Sequence, residues 1–205
     1  SGLNVVIGNE AAEEMTSMSE STIVGYKAAT SNTSGSHILA MGYLAYDGAD
    51  TENHNLAIGS AALGGPVAGG EYNVAIGNYT LDALTSGDYN VAIGYAAGTD
   101  LTSGERNTFI GNDAGKDCIG GGQNVAIGDN ALRTATTSGY NIAVGSNALY
   151  ANTGGHANVA VGHKAMESNT TGEDNVGIGA SALYANTTSS YNTAVGNRAL
   201  LVNTA

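Results

Sequence analysis

The chain of 205 residues contains no Trp, one Phe, one Pro and one Cys. A single Cys excludes an intrachain disulfide, and the near absence of Trp and Phe argues against an ordinary globular aromatic core. Lys and Arg number 6 against 18 Asp and Glu, so the formal net charge is −12. Because so acidic a chain is a poor partner for nucleic acid or an anionic membrane, we expect no nucleic-acid partner.

Long hydrophobic runs are also missing. No segment has enough consecutive apolar residues to span a bilayer, and the first residues lack the pattern of a signal peptide. We therefore expect no membrane insertion. The 31 Gly residues occur with a single Pro, a combination that favours many tight turns over disorder.

A string related to Asn-Val-Ala-Ile-Gly recurs along the whole chain. Its closing glycine gives eleven intervals, of which ten are 17 residues and one, between Gly59 and Gly77, is 18. The twelve repeat glycines are Gly8, Gly25, Gly42, Gly59, Gly77, Gly94, Gly111, Gly128, Gly145, Gly162, Gly179 and Gly196. A fixed period of this length predicts a solenoid.

Each motif alternates large, small and large residues before its glycine, as in Val91-Ala92-Ile93. This period-2 pattern predicts a short strand, and we expect its large residues to face inward and its Ala to face outward. The Ala and Leu that follow the glycine predict a second short strand, and a polar turn closes the coil. We therefore expect an all-β fold: a parallel β-solenoid, or β-roll, of about twelve 17-residue coils, forming one repeat domain over residues 1–205.

Two residues of the motif are expected to be structural. The repeat glycine ends the strand where a side chain would obstruct a tight turn. The asparagine that opens most motifs is expected to stack into a ladder of amides that bond coil to coil. This column includes Asn73, Asn90, Asn124 and Asn141.

An outward column of Ala would leave a flat apolar surface in water, so we predict a symmetric oligomer. The residues after Gly196 and those up to Gly8 together complete one period of 17. This continuity indicates a segment of a longer fibre or, alternatively, end-to-end stacking of copies into a filament.

No catalytic, cofactor or metal site is expected from the sequence. Cys118 has no His beside it, and the acidic residues are scattered among the coils. A column of Thr eight residues after the glycine is interpreted as turn hydrogen bonding, with ice binding as the alternative. His37 and His54 share a repeat position and are expected to stack as a solvated pair.

Several tyrosines precede the motif asparagine at Tyr72, Tyr89, Tyr140 and Tyr191. Exposed tyrosines near polar turns stack on sugar rings, so these four are candidate ligand contacts. The alternative is that they are partly buried and simply pack against the turn.

The string Asn-Val-Ala-Ile-Gly-x-x-Ala-Leu-x-x-Asn-Thr-Thr-Gly is clearest at 141–155, 158–172 and 175–188. It resembles the head repeats of trimeric autotransporter adhesins and the shaft repeats of phage tail fibres. The resemblance implies a left-handed parallel β-roll that forms a homotrimer. The period is longer than the typical adhesin repeat and is more similar to the fibre group. Ser21 and Ile38 replace the motif Asn in the early repeats.

We therefore expect a non-enzymatic structural and adhesive segment of an extracellular trimeric fibre. The preferred candidate is a phage tail fibre engaged in host-surface attachment. The alternatives are a bacterial trimeric autotransporter adhesin head and a self-assembling extracellular filament subunit that stacks head to tail. A host-surface glycan or protein is the expected receptor, and the expected location is the virion or the bacterial cell surface.

Overall fold

The computed structural model of the chain describes residues 2–66 and 69–203. Each repeat contributes one strand of three residues, and the twelve strands pair in parallel, in chain order, into one sheet. The strands are β1 (Val5–Ile7), β2 (Thr22–Val24), β3 (Leu39–Met41), β4 (Leu56–Ile58), β5 (Val74–Ile76), β6 (Val91–Ile93), β7 (Thr108–Ile110), β8 (Val125–Ile127), β9 (Ile142–Val144), β10 (Val159–Val161), β11 (Val176–Ile178) and β12 (Thr193–Val195). The described residues contain no helix. The predicted all-β parallel solenoid is therefore confirmed.

The second strand expected in each coil is replaced by a turn. In coil 8, counted by the repeat glycines, Asn130 and Leu132 have φ of 54° and 50°, in the left-handed region. This conformation points the side chains of two consecutive residues, Ala131 and Leu132, into the core, where both are buried. A strand would place them on opposite faces, so the prediction of two strands per coil is wrong.

The side of the strand that we expected to face outward faces the core instead. In eight of the twelve strands the middle residue is a buried Ala, such as Ala92, whereas the flanking residues are only partly covered. The reason is volume: the Leu four residues after the glycine enters the core from the opposite side of the thin coil, and only a small strand residue fits against it. The prediction of an outward Ala column is therefore wrong, and the outward strand positions are held by the aliphatic columns beside it.

The exceptions to the Ala column obey the same volume rule. Phe109 replaces Ala in β7, and the positions usually held by Leu in its own coil and the preceding one are Gly115 and Gly98. A Cβ on either glycine would approach the Phe109 ring to within 3 Å. In β11, Gly177 takes the Ala position, where a Cβ would lie 2.9 Å from Met166 Cγ.

The repeat glycines are required by the backbone. Gly94 has φ of 139°, and a Cβ there would overlap the carbonyl oxygen of Gly111 in the next coil. Both the dihedral and the close approach of neighbouring coils exclude a side chain.

The motif asparagines form a buried ladder. Asn124 Nδ2 donates to the Ser138 carbonyl oxygen at 2.9 Å. Asn124 Oδ1 accepts from the backbone N–H of Asn141 at 3.0 Å and from its Nδ2 at 3.3 Å. Where the motif Asn is present, its amide thus bonds both to the ladder and to a turn, which satisfies its buried polar atoms.

A second amide ladder occupies the later coils, seven residues after the glycine. Asn169 Nδ2 donates to Asn152 Oδ1 at 2.9 Å and to the Gly172 carbonyl oxygen at 3.0 Å. Asn32 holds the same position in an early coil and is fully buried, but neither polar side-chain atom has a hydrogen-bond partner among the described residues. Its column neighbours Met15 and Ala49 offer no amide with which to continue a ladder.

The single 18-residue repeat is organised by a buried carboxylate. Glu52 is 6% exposed, and its Oε2 accepts from the backbone N–H groups of Asp50 and Thr51 at 3.0 Å. Its Oε1 accepts from the N–H of Gly69 at 2.9 Å. The sequence predicts an outward bulge from Gly64 to Gly70, but Val67 and Ala68 lie outside the described residues.

Candidate functional site: the outward faces of the coils

One face of the solenoid is a continuous apolar surface, which we call the aliphatic strip. It consists of the first and third residues of all twelve strands. These 24 positions carry 21 aliphatic residues and three Thr, and no charged residue. The strip includes exposed side chains in several coils: Ile7, Met41, Ile127, Ile142, Ile178 and Val195. With coils about 4.8 Å apart, the strip is on the order of 50 Å long.

A surface of this kind marks an interaction site, because isolated soluble proteins rarely expose so long a contiguous apolar patch. Ile127 is 37% exposed and Ile142 is 40% exposed even though each is flanked by strands of its own sheet. Parallel β-sheets are ordinarily covered on both faces. The described residues cover only the inner face of this one.

A second outward column of side chains lies five residues before each repeat glycine and contains the candidate tyrosines. We call it the aromatic column. His37 and His54 stack with ring centroids 4.5 Å apart, as predicted for a shared repeat position. His54 stacks in turn on Tyr72 at 4.7 Å. At the start of this stack, His37 Nε2 lies 2.8 Å from Glu20 Oε2.

The faces of Tyr72 and Tyr89 are therefore occupied by side chains of this protein. The two rings stack on each other at 5.1 Å, and the Arg106 guanidinium lies 5.5 Å from the Tyr89 ring centroid. A sugar stacks on an aromatic face, and only the ring edges of these two tyrosines point to solvent. Their surroundings favour packing over sugar contact.

Tyr140 and Tyr191 are more open, at 62% and 81% exposed. Among the described residues, neither ring has an aromatic stacking partner. The Tyr140 hydroxyl accepts a hydrogen bond from Gln123 Nε2 at 3.1 Å. The four candidate tyrosines thus lie in one column but do not form one continuous site.

The threonine column is used by the turns themselves. The hydroxyl of Thr85 donates to the carbonyl oxygen of Thr102 at 2.8 Å, and Thr170 does the same to Thr187 at 2.9 Å. These bonds join successive coils and engage the hydroxyls. They confirm turn hydrogen bonding as the role of this column.

The one cysteine is sequestered. Cys118 is fully buried, and this burial raises the pKa of its thiol to about 11. The thiolate required of a nucleophile is therefore scarce at neutral pH. Burial likewise raises the pKa of Tyr46, whose hydroxyl accepts from Asn55 Nδ2 at 2.9 Å and donates to the Glu52 carbonyl oxygen at 3.2 Å.

Among residues 2–66 and 69–203, no three His, Cys, Asp or Glu side chains come together in a way that would hold a metal ion. No helix in this part of the chain is long and apolar enough to cross a membrane.

Several outward features were not singled out from the sequence. Tyr26 and Tyr43 stack at 5.6 Å one residue after their repeat glycines, and Lys27 Nζ lies 5.8 Å from the Tyr26 ring centroid. The second Asn ladder was also missed, although Asn152 and Asn169 recur at the period of 17 that would have identified it.

Comparison with known proteins gives no relative: no family model, no curated protein and no solved structure matches the chain.

Proposed function

We propose that this chain is a structural and adhesive, non-enzymatic segment of an extracellular trimeric fibre, in first place a phage tail fibre that takes part in host-surface attachment. The observation that carries the proposal is the aliphatic strip. A fibre segment needs length, uniform stacking and a face that holds copies of the chain together. The described solenoid supports the first two with its twelve stacked strands, and we propose the aliphatic strip for the third.

Association through the strip would remove apolar surface from contact with water. Apolar surface left in water costs about 25 cal/mol for each Å². The strip carries no charge, although the chain as a whole has a net charge of −12. Copies that meet along the strip therefore bury apolar surface and keep their acidic residues apart, which favours the strip over the other faces as the interface.

The number of copies and the handedness of the coil come from the resemblance to adhesin heads and tail-fibre shafts. Three copies around a long axis are a closed symmetric arrangement, in which the strip of each copy faces the centre. The aromatic and threonine columns belong to the turns and remain at the outside of such a trimer, where a receptor would contact them.

The interface is tested by placing charge on the strip. Ile93→Glu with Ile127→Glu adds two carboxylates to it, whereas Gln123→Glu with Ala157→Glu adds two to an outward turn. By sedimentation velocity, we expect the first variant to dissociate into monomers and the second to keep the mass of the original assembly. An unchanged mass for the strip variant would count against the proposed interface.

Attachment is tested with the fluorescently labelled chain on panels of intact bacteria, animal cells and immobilised matrix proteins. A tail-fibre segment is expected to bind particular bacterial strains. Selective binding to animal cells or matrix would instead favour the adhesin head. Binding to none of the three panels would argue against an adhesive role.

A further inference from the structure

A groove of about 410 Å³ lies on the outward side of the last three described coils. Its lining residues are Lys164, Ser181, Tyr184, Asn197, Arg198 and Leu201. Three of them, Lys164, Ser181 and Arg198, occupy the second position after successive repeat glycines, and Tyr184 and Leu201 occupy the fifth. The groove is therefore the space between two parallel columns of side chains.

In coils 7 and 10 a charge pair spans these two columns. Lys116 Nζ lies 3.3 Å from Asp113 Oδ1, and Lys164 Nζ lies 3.3 Å from Glu167 Oε1, each pair joining the second and fifth positions of one coil. In the last coil the partner position of Arg198 is Leu201, and within the described residues Arg198 has no carboxylate at ion-pair distance. Arg198 thus differs from Lys164, which lines the same groove but is paired with Glu167.

The groove thus combines three kinds of contact. Arg198 is exposed and has no ion-pair partner within residues 2–66 and 69–203, and its guanidinium is a group that binds carboxylates through two parallel hydrogen bonds. Tyr184 provides a half-buried aromatic wall, and Ser181 and Asn197 provide short polar side chains. An anion alone would use only the first, and a neutral sugar only the other two.

We propose that this groove binds an acidic saccharide, with the carboxylate of a uronic or sialic acid residue on Arg198 and the sugar ring against Tyr184. Lys164 and Arg198 lie two coils apart, roughly 10 Å, which is room for one to two sugar residues. Lys164 is ion-paired with Glu167, so it offers less free positive charge to a ligand than Arg198 does. The inference rests on the proposed attachment function and names the ligand class for it.

The groove is separate from the aliphatic strip, since its residues follow the repeat glycine and those of the strip precede it. In the proposed trimer it is present three times on the outside. A site of millimolar affinity is sufficient for such a fibre, because linked copies raise the overall avidity by two or more orders of magnitude.

The test uses the whole chain and calorimetric or NMR titration. Sialyllactose and tetragalacturonate are the acidic probes, lactose is the neutral probe and sodium sulfate is the bare anion. We expect at least one acidic saccharide to bind in the millimolar range, more tightly than lactose and sulfate. Arg198→Met is expected to weaken that binding at least tenfold, and Tyr184→Leu severalfold, with unchanged circular dichroism.

Arg133→Met is the matched control, because Arg133 lies on the same side of the solenoid but sits 3.9 Å from Asp117 Oδ2 and over the Tyr150 ring. Its binding should equal that of the original chain. The proposal is overturned if neither acidic saccharide binds, if lactose or sulfate binds equally well, or if Arg198→Met has no more effect than Arg133→Met.

The two proposals fail in different ways. Cell attachment that persists in Arg198→Met would remove the groove as the receptor site and leave the attachment function standing. Acidic-saccharide binding by a chain that remains monomeric and attaches to no cells would support the groove and remove the fibre.

Discussion

A Cβ atom on Gly115 would lie 2.6 Å from Cε1 of Phe109, so the ring of Phe109 fills the space that Leu132 occupies in the next coil. The two positions face each other across the coil, and a large residue at one is matched by a small residue at the other. Coil 8 has Ala in the strand and Leu in the turn, whereas coil 7 has Phe in the strand and Gly in the turn. This exchange explains how one coil departs from the motif without disturbing the sheet register.

The exchange predicts a compensating pair of mutations. Phe109→Ala leaves a cavity and should lower the free energy of unfolding by about 3–5 kcal/mol. Gly115→Leu should also destabilise, because its side chain overlaps the Phe109 ring. The double variant recreates the Ala and Leu of coil 8 and should be more stable than either single variant. Urea denaturation at one protein concentration measures the cycle, and additive losses would contradict the exchange.

The two buried amides Asn32 and Asn169 should respond to Ala in opposite directions. Asn169 donates two hydrogen bonds; their loss leaves Asn152 Oδ1 without this donor, whereas the Gly172 carbonyl oxygen keeps the bond from Asn158 Nδ2 at 2.8 Å. Asn169→Ala should therefore cost about 1–3 kcal/mol. Within the part of the chain that the structure describes, the side-chain amide of Asn32 has no hydrogen-bond partner, so Asn32→Ala should be neutral or stabilising. Thermal denaturation of the two variants measures the difference. An equal loss of stability in both would contradict the hydrogen bonding described for the two amides.

The repeat glycines should not tolerate a methyl group. Gly94→Ala would place a Cβ on a residue with φ of 139° and against the next coil. The variant should therefore lower the free energy of unfolding by at least about 2 kcal/mol. Gly154→Ala is the matched control, because a Cβ there meets only Thr171 Cγ2, at 3.8 Å. Its unfolding midpoint should stay close to that of the original chain, and similar losses from both variants would count against the argument.

The thiol of Cys118 should be inert in the folded protein. Because burial raises its pKa to about 11, the thiol is neutral at pH 8, and the side chain is inaccessible as well. A disulfide reagent should react slowly with the folded chain and rapidly in denaturant. In the folded state, the rate should rise as the pH approaches 11. Rapid reaction of the folded chain at pH 8 would be incompatible with this environment.

The period in the sequence locates every strand, from Val5–Ile7 to Thr193–Val195, because the pairing register repeats with the motif. It does not say which side of a strand is inside. A large–small–large segment of three residues fits either orientation, and the choice depends on what enters the core from the facing turn. There Leu132, with a left-handed backbone, takes the volume that leaves room only for Ala126.

The candidate sites depended on the same missing information. The stacking of His37 and His54 follows from their shared repeat position, but the covering of Tyr72 by its neighbours depends on ring orientation. The groove beside Arg198 requires knowing that the second and fifth positions after the glycine lie next to each other. That proximity arises from the turn that replaces the expected second strand.

The proposed trimer, in which three copies of the chain meet along the aliphatic strip, fixes the mass of the protein in solution. Light scattering on a size-exclusion column across a dilution series measures this mass. We expect a stable value of three times the 20.4 kDa of one chain. A mass of 20.4 kDa at every concentration would contradict it, and species that grow with concentration would point instead to head-to-tail filaments.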